Sequence, residues 1–144
     1  MAAQRGTGNP RPTYGINKSI GGRSLRIGKR SFGKGLGCAA NTVLVYDLGG
    51  QYKRFKATVG VDDEVAGADD PPPSVFFTAH ADGVLGFESG PMRKDTAAKE
   101  VDVDVHGVRV LMLRMSSNWD DNGDGKNDHG DWGDARLVGR VLTN

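Results

Sequence analysis

A chain of 144 residues and 15.3 kDa suits one domain with a buried core, and its 37% hydrophobic content, 22 glycines and six prolines exclude a collagen-like or largely disordered polymer. The formal net charge of +1 conceals an asymmetry: Met1 to Lys56 carries eleven Lys and Arg against Asp47 alone, giving +10, whereas Ala57 to Asn144 carries eight against seventeen acids, giving −9. The basic residues of KSIGGRSLRIGKRSFGKG alternate with glycine and apolar positions, without zinc spacing, a recognition helix or an RNP-like aromatic strand; the expectation is pairing with the acidic half and no nucleic acid.

Residues 1–13, MAAQRGTGNPRPT, read as a flexible N-terminal arm, and one domain is expected over 14–144. The arm has no apolar leader and no later run reaches a membrane span. We read the chain as a module excised from a longer secreted or extracellular protein. The single Cys38, between Gly37 and Ala39, excludes an internal disulfide and has no base beside it, so a buried structural thiol is expected.

Beyond the arm, alternation with a period of two dominates and no helical stripe exceeds a turn or two. TVLVYDL from Thr42 and RFKATVGV from Arg54 are β-branched and aromatic, and Gly49-Gly50 between them is a natural turn. DDEVAGADDPPP, Asp62 to Pro73, is a proline-stiffened loop. SVFFTAHADGVLGFES splits at Asp82-Gly83, where both turn positions tolerate positive φ, the signal of a type I′ hairpin. In KEVDVDVHGVRVLMLRM, Val101, Val103 and Val105 face inward and Asp102 and Asp104 face water, then His106-Gly107 turns the chain into a strand apolar on both faces. A last strand is expected from about Ala135 to Leu142. Roughly eight short strands with tight turns predict an all-β sandwich or jelly roll.

One stretch stands apart, DDNGDGKNDHGDW, with five aspartates in thirteen residues. From Asp120 to Asp131 it fits the 12-residue calcium loop: Asp120, Asn122 and Asp124 offer side-chain oxygens, Lys126 its carbonyl, Asp128 a direct or water-mediated ligand, and Asp131 the twelfth position, with Gly125 at the sharp turn. A ligand at every second residue is what a loop wrapping a large, oxygen-seeking cation must provide. The competing reading is a solvated acidic turn rich in Asp, Asn and Gly. No Ser-His-Asp order, P-loop, dinucleotide fingerprint or paired catalytic carboxylates accompany it, so no enzymatic activity is expected.

Several separated segments then resemble one family. LRIGKRSFGKGLGCAANTVLVYDLGGQYKRFKATVGVDDEV, FFTAHADGVLGFESGPM, AAKEVDVDVHGVRVLMLRM and NDHGDWGDARL follow in order the strands, hairpin and terminal motif of the NPCBM domain, the family 51 carbohydrate-binding modules, over about Tyr14 to Val141. The resemblance implies a galactose-binding-like β-sandwich that contains calcium, is appended to a secreted glycoside hydrolase in cis and binds galactose-type glycan termini in a lectin-like manner.

Residue by residue, Lys34 to Gly37 matches the family's KGIG, and Asn41 falls where a small polar residue follows HA. Asp128, His129, Asp131, Trp132 and Asp134 match DHADWAD, and Asp62 to Glu64 match GVDDE, as further cation ligands, as a turn cap or as partners of the basic N-terminal half. Lys34, Asn41, His129, Asp131 and Trp132 are thus the candidate sugar contacts, with Trp132 as an aromatic platform or, equally, a core anchor, and Trp119 as the alternative platform. His80 and His106 are expected to be structural or solvated. Ala39 departs from the family, which usually has histidine there. The expectation is a glycan-binding module, the alternative a domain of the same fold with a degenerate sugar site that serves structure or protein interaction.

Overall fold

The structure, a computed structural model, describes residues 3–5, 14–69, 72–117 and 127–140. Two five-stranded antiparallel sheets face each other. The first runs in the order β1 (Ala3–Arg5), β6 (Thr42–Asp47), β11 (Val110–Ser117), β8 (Ser74–Ala81), β9 (Val84–Arg93), and the second β10 (Lys99–Asp104), β7 (Arg54–Val61), β12 (His129–Val138), β5 (Gly35–Ala39), β2 (Tyr14–Ile16). A hairpin of β3 (Leu25–Ile27) and β4 (Arg30–Phe32) completes the twelve strands of the described residues. The expected all-β sandwich is the observed fold. The extra strands are mostly three residues long, too short to show a period.

Strand parity places the core. Val101, Val103 and Val105 are buried while Asp102 and Asp104 are exposed, and Val101 and Val103 stand opposite Ala57 and Phe55 on β7. Asp82 and Gly83 both have positive φ, 48° and 80°, and join β8 to β9 as a two-residue turn, as expected of type I′. Gly49 and Gly50 form the expected turn, yet β6 pairs with β1 and β11 whereas β7 pairs with β10 and β12, so this turn carries the chain from one sheet to the other.

Two expectations are corrected. β11 is one-sided: Leu111, Leu113 and Met115 are buried, while Val110 and Arg114 on the other face are exposed, as antiparallel sheets allow. The last strand begins at His129, six residues before Ala135, and so contains all of the DHGDW motif except Asp128.

Between the sheets, Trp132 is 1% exposed and meets Phe77 edge-on, with ring centroids 5.2 Å apart, and Phe55 at 6.1 Å. A second cluster, Leu25, Ile27 and Phe32, lies under the β3–β4 hairpin on the outer face of the second sheet. That face is flat because glycine occupies it. A Cβ on Gly60 would stand 2.6 Å from Ile27 Cγ2, and one on Gly133 2.7 Å from the Phe32 ring, so the hairpin seats only on a backbone without side chains. Arg26–Asp63, Arg30–Glu100 and Arg54–Asp102 join the basic N-terminal half to the acidic half, which resolves the charge asymmetry within one domain; as exposed pairs they add little stability.

Candidate functional site

The outer face of the second sheet positions the site. On β12, Gly130 and Trp132 point into the core, so His129 and Asp131 point outward, opposite Ala39 and Gly37 of β5. At the end of β7 the chain turns through Asp62, whose Oδ1 accepts from Glu64 N at 2.8 Å and caps the short 3-10 turn Asp63–Val65. This cap directs three consecutive acids to three tasks.

Glu64 reaches outward to the functional edge. Its Oε1 accepts from the Ser19 hydroxyl at 2.6 Å, and its Oε2 accepts from Gly21 N at 3.2 Å and from His129 Nδ1 at 2.8 Å. Burial works to raise its pKa, but the bonds from Ser19, His129 and Gly21 outweigh it and hold the carboxyl below its ordinary value. Asp63 clamps the hairpin turn, accepting from Gly28 N at 2.9 Å and Lys29 N at 2.7 Å, with Arg26 Nε at 3.4 Å. Asp62 turns inward, toward Asp131.

Asp62 and Asp131 are each 1% exposed and share one donor, Arg26 N, at 3.4 and 3.3 Å. Among the described residues no N–H or O–H group donates to Asp131 Oδ1, and the side chain meets Asp62. Two buried carboxylates cannot both ionise at such a contact. Burial first, then the bond to Asp62 and its charge, push the Asp131 pKa up to about 10, which favours its protonated form at neutral pH.

Beside this pair and Glu64 lies an open cleft of about 400 Å³, with Arg23, Arg26, Ser24 and Ser31 on one side and the three acids on the other. It offers guanidinium donors, carboxylate acceptors and hydroxyls within one small volume, the set that vicinal hydroxyl groups require.

The expected contacts divide. His129 and Asn41 sit at this end of the sandwich, Asn41 exposed in the β5–β6 turn with φ 64°. Lys34 does not join them. It precedes β5 at the opposite end, about 17 Å of strand away, and lines a groove with Tyr14, Asn17 and Ala135. Trp132 is corrected from platform to core anchor, since Phe55 and Phe77 pack on it and no ring face reaches solvent. Asp131 is corrected from sugar contact to buried partner of Asp62. Cys38 is buried as expected, and burial, with the Asp131 charge, raises its pKa. The residues missed are Ser19, Arg23 and Arg26, which come from a loop and a strand of three residues with no local signal.

Of the expected cation loop, Asp120, Asn122, Asp124 and Lys126 lie outside the described residues, as does Trp119. The two described members point apart: Asp128 Oδ1 accepts from Ser74 N at 2.8 Å, at the start of β8, whereas Asp131 addresses Asp62 and β3. Among the described residues, no group of three or more His, Cys, Asp or Glu side chains is arranged to hold a metal ion.

Comparison with known proteins places this geometry. The model of the NPCBM/NEW2 domain matches residues 2–138. A family 51 carbohydrate-binding module from the Clostridium perfringens GH95 enzyme, solved with methyl-galactose, is 34% identical with a TM-score of 0.77, over 95% of this chain and 92% of that one. The second such module of Clostridium perfringens ZmpB, solved with GlcNAc together with INT domains, is 30% identical with a TM-score of 0.79, over 96% of this chain and 29% of that one. A Renibacterium salmoninarum protein provisionally named an endo-alpha-N-acetylgalactosaminidase is 28% identical over 119 residues, 81% of this chain, which spans 7% of that protein's length. This chain belongs to the NPCBM/NEW2 domain family, the family 51 carbohydrate-binding modules.

Proposed function

We propose that the module recognises glycans with galactose-type termini at the His129–Glu64 end of the sandwich, without acting on them, and holds a secreted glycoside hydrolase of the same polypeptide near its substrate. The observation that carries this reading is the Ser19–Glu64–His129 constellation beside the cleft of Arg23 and Arg26, a ready set of donors and acceptors for a sugar edge. The methyl-galactose and GlcNAc complexes of the similar modules support the ligand class, and the Renibacterium salmoninarum relative supports the parent enzyme. Catalysis is disfavoured on geometry. Glycoside hydrolysis needs two carboxyls flanking an accessible bond, and the close pair here, Asp62 and Asp131, is 1% exposed at each member.

With Trp132 buried and alanine at position 39, binding rests on hydrogen bonds. Three or four of them at about 0.5–1.5 kcal/mol net each give roughly millimolar affinity, since 1 mM corresponds to about 4.1 kcal/mol. Ala39 stands directly across the ladder from His129, where a histidine would bring a second imidazole within about 5 Å. Calorimetry with methyl galactoside and N-acetylglucosamine tests the reading: His129→Ala is expected to abolish binding and Ala39→His to strengthen binding of the galactoside. If wild type and Ala39→His both stay folded and bind neither sugar, the module is instead an interaction domain whose sugar site has decayed.

We further propose that calcium is a structural ligand of the Asp120–Asp131 segment. The concentration of aspartates there supports this, because clustered carboxylates repel unless a cation compensates. When bound, the ion supplies charge neutralisation and cross-links the segment. Calcium is expected to raise the melting temperature relative to chelator, and Asp124→Ala to remove that increment; identical melting in both conditions refutes the assignment.

A further inference from the structure

The outward face of the first sheet carries a second, unassigned cleft. Strand register orders its floor. One cross-strand row reads Val45, Met112, His80 and Leu85, the next Val43, Arg114, Thr78 and Glu88, and the third Ser116, Phe76 and Pro91. A trough of about 430 Å³ crosses these rows on β11, β8 and β9, within the usual range of about 300–1,000 Å³ for small-molecule clefts.

Two polar atoms of this trough, Thr78 Oγ1 and His80 Nδ1, are shielded from solvent and have no hydrogen-bond partner among the described residues. Polar atoms so placed are rare in folded proteins, because each forfeits a hydrogen bond that water or a ligand would supply. Arg114 and Glu88 flank Thr78 from the neighbouring strands, their backbones about 10 Å apart, and among the described residues neither enters an ion pair. One wall thus offers guanidinium donors, the other carboxylate acceptors, and the floor hydroxyls and a ring nitrogen that take either role. Phe76 and Leu85 give the two ends of the trough apolar surface.

The occupant that fits is neutral, because the charges of Arg114 and Glu88 cancel. It is dense in groups that both donate and accept, because the floor and both walls need partners at once. It also carries C–H surface for Phe76 and Leu85. A pyranose has all three properties. We infer that the trough over Phe76, Thr78, His80, Glu88 and Arg114 is a second carbohydrate-binding site, taking one or two neutral, polyhydroxylated sugar units.

The site lies on the opposite side of the sandwich from His129 and Glu64, so both can be filled at once. Two weak sites on one rigid module bind a branched or clustered glycan with an avidity neither has alone, because the second contact forms at high effective concentration. The inference stands on its own residues and does not require the first site to function.

Amide shift mapping by NMR tests it, titrating the whole chain with methyl galactoside and, separately, with N-acetylglucosamine. The expected result is a saturable shift at Thr78, His80, Glu88 and Ser117 with at least one of the two sugars, unchanged in His129→Ala and weakened about tenfold or more in Thr78→Val and in Glu88→Gln. Glu88 is on the surface and its isosteric change spares the fold, so it remains informative if Thr78→Val unfolds. Shifts confined to His129, Glu64 and their neighbours uphold the loop-end site and overturn this one. Shifts at the trough that persist in both variants overturn it as well. So does broadening of the same amides with protein concentration in the absence of sugar, which assigns the face to a second copy of the chain.

Discussion

Replacing Asp131 with asparagine removes a proton from the interior without changing the shape of the side chain. In the folded protein Asp131 is pushed up to about 10, against an ordinary 3.8 when the chain unfolds. The folded state therefore binds the extra proton throughout this interval. Its stabilising effect is complete below about pH 3.8 and is lost as pH rises toward about 10. Each pH unit inside the window removes at most about 1.4 kcal/mol, so from about pH 6 to about pH 8 the wild type loses up to roughly 2.7 kcal/mol from this group. At about 2–4 °C per kcal/mol for a domain of this size, the melting temperature falls by about 5–10 °C over those two units. The substituted asparagine offers an amide N–H to Asp62 and an oxygen to Arg26 N, keeps both contacts at every pH and does not titrate. Thermal melting of both proteins in chelator, across this range, should show curves that diverge as pH rises, with Asp131→Asn the more stable at the alkaline end. Parallel curves refute the protonation account and mean that the buried pair is solvated or neutralised by another group.

Three further outcomes follow from the packing. Trp132→Ala should cost about 3–5 kcal/mol in urea unfolding, the range for emptying a large aromatic site in a core, and a loss below about 1 kcal/mol would show that the indole is not the anchor described here. Gly60→Val should lift the β3–β4 hairpin by collision with Ile27 and speed hydrogen exchange at the Arg26 amide, at a cost of about 1–3 kcal/mol; unchanged exchange there would contradict the close seating. Glu64 is held below its ordinary 4.5, so its contribution is present above that value and disappears as pH falls through the lower folded value; Glu64→Gln should flatten the acid limb of the stability profile, and an identical acid limb would remove the Ser19–His129 network from the account.

Much of the sandwich was legible because its signals are local. Val101, Val103 and Val105 alternate with aspartates, and Asp82-Gly83 permits the one turn that fits two residues of positive φ. The start of β12 was not legible. Gly130, Asp131 and Gly133 break the apolar alternation there, since Gly130 yields core space to Met115 and Phe77, Gly133 makes room for Phe32, and Asp131 is buried beside the same hairpin. Trp132, among acids and glycines, reads equally as platform or core anchor until strand parity is known. The Glu64 cluster was half legible: the acids were visible in GVDDE, but Ser19 lies 45 residues before Glu64 and His129 65 after it, and only the closed ladder of β5, β12 and β7 brings them together.

The hairpin links this architecture to selectivity. Arg26 donates its backbone N–H to the buried acid pair while its side chain lines the open cleft with Asp63, so one residue ties the buried pair to the surface proposed to bind sugar. Glycines on β5, β7 and β12 let that residue approach closely, and a side chain at Gly60 or Gly133 would move the guanidinium with the hairpin that carries it. An aromatic platform tolerates such movement, because stacking surfaces slide. A site made of directed hydrogen bonds does not, since their strength falls steeply with angle and distance. With Trp132 committed to the core, a sugar site in this cleft, as proposed, depends on a fixed hairpin, which Asp131 holds from beneath by accepting from Arg26 N.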